Sequence, residues 1–164
     1  MLKPEIETAL NAQINQEQAA AREYLAMHAY FTGQNLKGFA AFMRRQCEEE
    51  REHAMKFYDY VFDRGGMVKL QSLPQPADAY ASPLAAFQAA YQYEQKNTAS
   101  IHALYKLATD HQDYATQTHL HWFIEEQVEE EAWCEEAIAL LETVGNDPSA
   151  LFMLDHRYGQ TPTE

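Results

Sequence analysis

FMRRQCEEEREHAMKF, residues 42–57, is the stretch of sequence that decides the fold. Its inward positions recur at alternating spacings of three and four, which is the pattern of a helix packed in a bundle. The full seam of this segment reads Phe39, Met43, Gln46, Glu50, His53, Phe57 and Tyr60. Apolar residues therefore lie on both sides of a polar centre that contains a carboxylate and an imidazole.

Three other segments show the same order of apolar, polar and apolar positions. The first seam reads Leu10, Ile14, Glu17, Ala21, Tyr24 and His28. The third reads Leu84, Phe87, Tyr91, Glu94, Thr98, Ile101 and Tyr105. The fourth reads Leu120, Phe123, Gln127, Glu130, Cys134, Ala137, Leu141 and Val144. In all four segments the polar interruption falls near the middle, so we expect these polar side chains to lie at one height in the core.

The polar residues also repeat at a constant offset of 77 positions. The pairs are Glu17 with Glu94, Glu49 with Glu126, Glu50 with Gln127, and His53 with Glu130. Each half of the chain supplies one glutamate and then a pair of polar residues spaced i, i+3. Two related helix pairs would bring these side chains together.

A core of this composition needs a counter-charge. An isolated ionised carboxylate in a bundle core costs several kcal/mol even after relaxation. At least four carboxylates and one imidazole would meet here, and no lysine or arginine lies on the seams. Glutamates from two helices together with a Glu-x-x-His pair form the ligand set of di-iron bundles. An oxygen-rich site with one histidine suits iron or manganese better than structural zinc.

Each of these features has a simpler explanation when it is taken alone. A single helical glutamate such as Glu17 is usually solvated, and the acidic run at residues 125–131 usually forms a solvated face. A pair such as Glu50 and His53 arises often by chance, and Tyr24 is more often a core residue than a redox partner. The four polar interruptions, repeated at one offset, favour the metal site over a set of unrelated surface charges.

Glycine, proline and capping residues divide the chain into five helices. The predicted ranges are 5–32, 36–64, 83–110, 114–144 and 148–158. The connection over residues 65–81 is long enough to run the length of the bundle, so the third helix can start at the far end. The sequence predicts an all-α fold, an antiparallel four-helix bundle with one long crossover connection and a short C-terminal fifth helix.

Composition restricts the partners and the compartment. The 164 residues carry a formal net charge of −13, which argues against nucleic acid or a membrane as partner. Cys47 and Cys134 form no disulfide framework, which fits a reducing compartment. The N-terminus has no signal peptide, and no apolar run approaches the ~20 residues that span a bilayer. We therefore expect a cytoplasmic protein.

Three motifs resemble those of the ferritin family, and specifically of bacterial non-haem ferritins. They are MLKPE at residues 1–5, EEEREH at 48–53 and EEQVEEE at 125–131. The resemblance covers essentially the whole chain. It implies one ferritin-like domain over residues 1–164, with the bundle over about 5–144 and the fifth helix over about 148–158.

The resemblance also implies the residues of a ferroxidase centre. The first iron position would use Glu17, Glu50 and His53, and the second would use Glu50, Glu94 and Glu130. Gln127 and Tyr24 match a glutamine and a tyrosine that lie beside the pair in the family. A third iron site is implied at Glu49, Glu126 and Glu129, with Glu130 shared.

Two departures from related subfamilies narrow the resemblance. Bacterioferritins carry a second Glu-x-x-His where this chain has Gln127 and Glu130, and they bind haem through a methionine where this chain has Arg51. No haem is therefore expected. The fifth helix carries Leu151, Phe152 and Leu154, which are too apolar for the surface of a monomer.

The implied function is iron storage with ferroxidase activity. Fe(II) would be oxidised to Fe(III) by O₂ or H₂O₂ at the di-iron centre and stored as mineral in a homo-oligomeric shell, 24 subunits in the family. Two alternatives remain open at this point. One is a di-iron oxygenase that acts on an organic substrate in an apolar cavity, and the other is a non-catalytic metal-binding bundle.

Overall fold

The computed structural model describes residues 2–160, which fold into five helices without any strand. The helices are α1 (Pro4–Gly33), α2 (Lys37–Asp63), α3 (Pro83–Asp110), α4 (Tyr114–Val144) and α5 (Pro148–Gly159). The predicted helix ends agree with these to within one residue, and the predicted fold class is confirmed. Of the predicted domain, Met1 and residues 161–164 lie outside the described residues.

The predicted capping residues explain why the later helices begin where they do. The Ser82 hydroxyl accepts a hydrogen bond from the backbone N–H of Ala85 at 3.1 Å. The Asp113 carboxylate accepts one from the N–H of Thr116 at 3.1 Å. Asp147 caps α5 in the same way. Each cap satisfies at least one of the backbone donors that the first helical turn leaves unpaired.

The crossover between α2 and α3 runs along the side of α1. Near one end, the Asn11 amide donates to the carbonyl oxygen of Met67 at 3.0 Å. Further along, the N–H of Ala77 donates to Glu23 at 3.3 Å. Asn11 and Glu23 are twelve residues apart in the sequence, which corresponds to about 18 Å of helix. The crossover therefore spans a large part of the bundle. Helix α3 starts at the end of the bundle opposite to the one at which α2 ends.

Two apolar clusters fill the bundle, one toward each end. The first includes Phe31, Phe39, Phe87 and Leu141. The second includes Ile6, Leu10, Val61, Phe57, Ile101 and Phe123. The layer between the two clusters contains the buried polar residues of the predicted seams: Glu17, Gln46, Glu50, His53, Glu94, Gln127 and Glu130. The predicted order of apolar, polar and apolar positions is thus the order along the bundle axis.

Seven predicted seam positions are only half-buried. At four of them, His28, Tyr91, Thr98 and Tyr105, the residue one position earlier is buried instead: Met27, Ala90, Asn97 and Leu104. The buried face of α3 is therefore rotated from the predicted seam, although Phe87, Glu94 and Ile101 lie on both. A bundle helix packs against two neighbours, so its buried face is wider than a two-position seam.

Helix α5 docks on the N-terminus of α2 through Asp155. The Asp155 carboxylate accepts from the N–H of Gly38 at 3.1 Å and from the N–H of Phe39 at 2.8 Å. A Cβ on Gly38 would lie 1.6 Å from the Asp155 carbonyl oxygen, so only glycine permits this approach. The close contact fixes α5 against the end of the bundle.

The apolar face of α5 is partly buried within the chain itself. Leu154 is buried against the bundle and Leu151 is half-buried. Phe152 and Met153 remain exposed, at 69% and 72% of their surface. None of the helices in the described part of the chain has the length and apolar character to cross a membrane.

Candidate metal centre

Five predicted ligands meet in the polar layer of the bundle. We call them the carboxylate cluster: Glu17 from α1, Glu50 and His53 from α2, Glu94 from α3 and Glu130 from α4. At most 4% of the surface of any of these residues is exposed. Charged side chains are almost never buried this far unless they are paired or bind a metal.

In the cluster and directly beside it, two groups of ligand atoms lie close enough to share a cation. Ligand atoms of Glu17, Glu50 and His53 all lie within 4.8 Å of one another. Ligand atoms of His53, Glu126 and Glu130 do the same. The His53 ring links the groups, since its Nδ1 lies 3.8 Å from Glu50 Oε2 and its Nε2 lies 3.9 Å from Glu126 Oε1.

Hydrogen-bond donors hold three of the four carboxylates in place. Glu94 accepts from the Tyr24 hydroxyl and, at 3.2 Å, from the Gln127 amide. Glu130 accepts from the indole N–H of Trp133. Glu94 belongs to neither of these two groups, and it lies beside Tyr24 and Gln127.

Glu50 is the exception among the carboxylates. Within the described residues, neither of its two buried oxygens accepts a hydrogen bond. A buried carboxylate without a partner is strongly unfavourable. Iron and similar divalent ions bind oxygen ligands. The two unpaired oxygens of Glu50 are therefore suited to a ligand that bridges two metal ions.

The pKa values show how unfavourable the cluster is without a cation. Burial, and then the Glu17 and Glu94 carboxylates, raise the pKa of Glu50 well above its usual range. Burial raises the pKa of Glu94 to about 7. Burial also raises the pKa of Glu17 and, with the help of Glu94, that of Glu130. At neutral pH the carboxylates must share protons or bind a positive ion.

His53 has the opposite tendency, as a ligand should. Burial, and then the charge of nearby Lys56, lower the pKa of His53 to about 4. The ring is therefore neutral at physiological pH, with a nitrogen lone pair available for a metal. Its edge packs against Trp122 with 5.3 Å between ring centroids.

With this geometry in view, comparison with known proteins decides the family. The model of the ferritin-like domain family matches residues 7–144. The chain belongs to the ferritin-like family. Its helices, its crossover and its buried carboxylates agree with that membership.

Several relatives match the chain over nearly its full length. The bacterial non-heme ferritin of Staphylococcus aureus is 38% identical over 159 residues, covering 97% of this chain and 96% of that protein. The bacterial non-heme ferritin of Staphylococcus haemolyticus is 39% identical over 155 residues, covering 94% and 93%.

Solved structures agree closely with this ferritin-like chain. The open pore ferritin of the archaeon Archaeoglobus fulgidus superimposes with a TM-score of 0.97 at 41% identity, covering 99% of this chain and 100% of that one. A humanized archaeal ferritin superimposes with a TM-score of 0.98 at 40% identity, covering 100% and 99%.

The residues predicted for a third site lie on the faces of α2 and α4. Glu49 and Glu126 are half-buried, and Glu129 is exposed. Burial and then the charge of Glu126 raise the pKa of Glu49, while burial and then Glu129 raise that of Glu126. The structure brings Glu126 to the cluster, through His53.

Three residues of the centre were not predicted from the sequence: Gln13, Asn97 and Trp133. The amides of Gln13 and Asn97 donate to Glu17 at 2.7 Å and 3.1 Å. The available signal was position, because Gln13 and Asn97 lie one helical turn from Glu17 and Glu94.

Proposed function

We propose that this chain is an iron-storage ferritin with ferroxidase activity. The observation that carries the proposal is the buried carboxylate cluster with Glu50 at its centre and no proton donor on either Glu50 oxygen. Membership in the family supports iron binding, and the names of the relatives favour ferritin over the oxygenase hypothesis. Iron is here the substrate and the cargo.

We assign the two iron positions to ligands that share Glu50. Glu17, Glu50 and His53 would hold the first Fe(II), in agreement with their mutual distances. Glu50, Glu94 and Glu130 would hold the second. The charges of Glu17, Glu94 and Glu130 all act on the pKa of Glu50, so all three carboxylates lie near it. A carboxylate in this position can bridge two ions.

Two adjacent Fe(II) ions supply the two electrons that the oxidant needs. With O₂ as oxidant, each iron loses one electron, and O₂ gains both together with two protons to give H₂O₂. With H₂O₂ as oxidant, the two electrons and two protons give two water molecules. Hard carboxylate oxygens bind Fe(III) more strongly than Fe(II), which favours the oxidised state.

Tyr24 and Gln127 orient the second position. Burial and the Glu94 charge raise the pKa of Tyr24 well above its usual range, so the phenol keeps its proton. Its hydroxyl and the Gln127 amide then hold the Glu94 carboxylate from two sides. We assign Tyr24 to hydrogen bonding beside the reacting ions.

A third iron site at Glu49, Glu126 and Glu129, with Glu130 shared, lies beside the first two. Its support is the short distances among ligand atoms of Glu126, Glu130 and His53, and the effects of Glu126 on the pKa of Glu49 and of Glu129 on that of Glu126. The partial exposure of Glu126 and the exposure of Glu129 suit iron that passes between the centre and solvent.

Storage requires a closed assembly, and we propose a homo-oligomeric shell of 24 chains. A solved relative is described as an open pore ferritin, and a pore implies a wall of several subunits. Exposed Phe152 and Met153 on α5 supply apolar surface for such contacts. We expect no haem, because Arg51 offers no sulfur ligand, and the two free thiols fit the cytoplasm.

Aerobic iron loading tests this proposal. Purified apoprotein should oxidise Fe(II) faster than buffer does and keep the ferric product in solution. Light scattering should give a particle of about 24 times the 18.9 kDa chain, and the iron should elute with it in size exclusion. Bovine serum albumin at equal mass controls for nonspecific binding. Oxidation at the buffer rate would contradict ferroxidase activity, and a monomer or dimer would contradict storage.

A further inference from the structure

Three buried amides form a continuous network along one side of the carboxylate cluster. We call Gln13, Asn97 and Gln127 the amide network, and at most 3% of the surface of each is exposed. Buried amides require partners for both their donor and their acceptor atoms. Here the partners are the cluster carboxylates and one another.

The network holds both oxygens of Glu17. The Gln13 amide donates to Glu17 Oε1 at 2.7 Å, and the Asn97 amide donates to Glu17 Oε2 at 3.1 Å. Each oxygen keeps a second lone pair that can bind a cation. The Glu17 carboxylate is thus oriented before any metal arrives.

Asn97 also reaches the opposite side of the cluster through Gln127. Its amide donates to Gln127 Oε1 at 3.3 Å. Gln127 then donates to Glu94 Oε2 at 3.2 Å. Because Gln127 Oε1 accepts from Asn97, the Gln127 amide nitrogen must face Glu94. The orientation of Asn97 therefore sets that of Gln127.

The orientation of Asn97 is itself fixed. Its Oδ1 accepts from Gln13 at 2.6 Å and from Gln16 at 3.0 Å. A flipped amide would place two donors against donors and lose both bonds. The hydroxyl of Ser100 in turn holds the Gln13 oxygen at 2.7 Å.

We infer that Asn97 is a positioning residue that couples the two iron positions, orienting Glu17 directly and Glu94 through Gln127. Gln13 has a narrower role, since among the ligands it contacts Glu17 alone. This inference rests on the proposed function, because it requires that Glu17 and Glu94 bind metal. Groups that orient metal ligands typically contribute 10–100-fold to metal affinity.

Anaerobic calorimetric titration with Zn(II), which is not oxidised, tests the inference. The wild-type chain should bind two Zn(II) ions in two steps. Asn97→Leu should weaken both steps by about 10-fold or more, while Gln13→Met should weaken the first step alone. The matched control is Asn11→Leu, which removes an equally buried amide that contacts Glu7 and Met67 instead of the cluster.

A double-mutant cycle isolates the coupling. In a Gln127→Met background, Asn97→Leu should no longer weaken the second step, because its route to Glu94 is already broken. Asn97→Ala serves in its place if the leucine variant does not fold by circular dichroism. Unchanged second-step affinity in the single Asn97 variants would overturn the inference. A wild-type chain that binds no Zn(II) would overturn the proposed function beneath it.

Discussion

Replacement of Glu50 by alanine should reduce iron oxidation by roughly a hundredfold or more. Removal of a group that only orients a ligand already costs 10–100-fold, and Glu50 is assigned to both iron positions. Initial rates of ferric absorbance after Fe(II) addition in air would measure the effect. Neither iron position should compensate for the other, because both lose the same ligand.

Glu48→Ala is the matched control for this change. Glu48 lies two positions earlier on α2, is exposed, and pairs with Arg44 and Arg51 at 3.3 Å and 3.2 Å. Exposed ion pairs contribute little to stability, so the loss of Glu48 should leave rate and stability near wild type. A Glu50→Ala protein as fast as Glu48→Ala would show that oxidation occurs elsewhere.

The same substitution should not destabilise the apoprotein, which separates function from folding. Glu50 is buried without a proton donor on either oxygen. Removal of such a group eliminates an unfavourable burial, although the cavity left behind offsets part of the gain. We therefore expect loss of activity together with unfolding at a temperature equal to or above that of the wild-type apoprotein.

Divalent metal should stabilise the folded chain strongly, and more so as the pH rises. A ligand that binds only the native state adds about 4 kcal/mol at a thousandfold excess over its Kd. Thermal unfolding of the apoprotein and of the Zn(II)-loaded protein, at pH values from about 6 to about 8, would measure this effect.

The sign of the pH dependence follows from the pKa shifts. Burial raises the pKa of Glu94 from 4.5 to about 7, so its protonated form favours folding. This contribution is complete below about 4.5 and is lost as the pH rises through about 7, at a cost of roughly 3 kcal/mol. The raised pKa values of Glu50 and Glu130 extend the loss to higher pH.

The buried histidines act in the opposite direction at lower pH. Burial lowers the pKa of both His53 and His119 from 6.5 to about 4. Their contribution is complete above about 6.5 and is lost as the pH falls through about 4. Above about 6.5 the contribution of these two histidines is constant, so the raised pKa values of the glutamates make the apoprotein lose stability with rising pH.

Bound metal replaces the protons on these carboxylates, so the loaded protein should show little of this loss. Glu94→Gln provides the control, because an amide cannot titrate and the fall in stability should become shallower. An apoprotein that gains stability between pH values of about 6.5 and about 8 would contradict the pKa assignments. Equal stabilisation by metal at every pH would contradict proton displacement.

Most of the fold could be predicted because local signals mark its boundaries. The side chains of Ser82, Asp113 and Asp147 each accept a hydrogen bond from a backbone N–H at the start of a helix, so these residues mark the helix starts in the sequence. The five cluster residues were predictable for a related reason. A carboxylate or imidazole among apolar seam positions is costly to bury in any bundle. Its chemical type restricts which partner groups or ions can compensate for that cost.

The rotation of α3 shows where sequence alone fails. Positions 84, 87, 91, 94, 98, 101 and 105 and positions 87, 90, 94, 97, 101 and 104 both alternate by three and four. The two seams share Phe87, Glu94 and Ile101. Aromatic Tyr91 and Tyr105 favour the first seam, but the structure buries Ala90 and Leu104. Which of the two seams is buried depends on how closely the neighbouring helices approach α3. The sequence of one helix does not determine that distance.

Two of the three residues of the amide network, Gln13 and Asn97, were missed for the same reason. An asparagine or glutamine is usually exposed, so their position one helical turn from Glu17 and Glu94 is too weak a signal to mark them as inward. Their burial follows from the rotation of α3 and from the carboxylates that they contact. Residues that orient ligands are therefore harder to predict than the ligands themselves.

The central claim is that Glu50 bridges two iron positions in the core of each chain. Crystals soaked anaerobically with Fe(II), with diffraction recorded at the iron absorption edge, test it most directly. We expect two strong anomalous peaks, both within bonding distance of Glu50, one also at Glu17 and His53 and the other at Glu94 and Glu130. Anomalous peaks confined to exposed acidic residues, with none at Glu50, would contradict the claim.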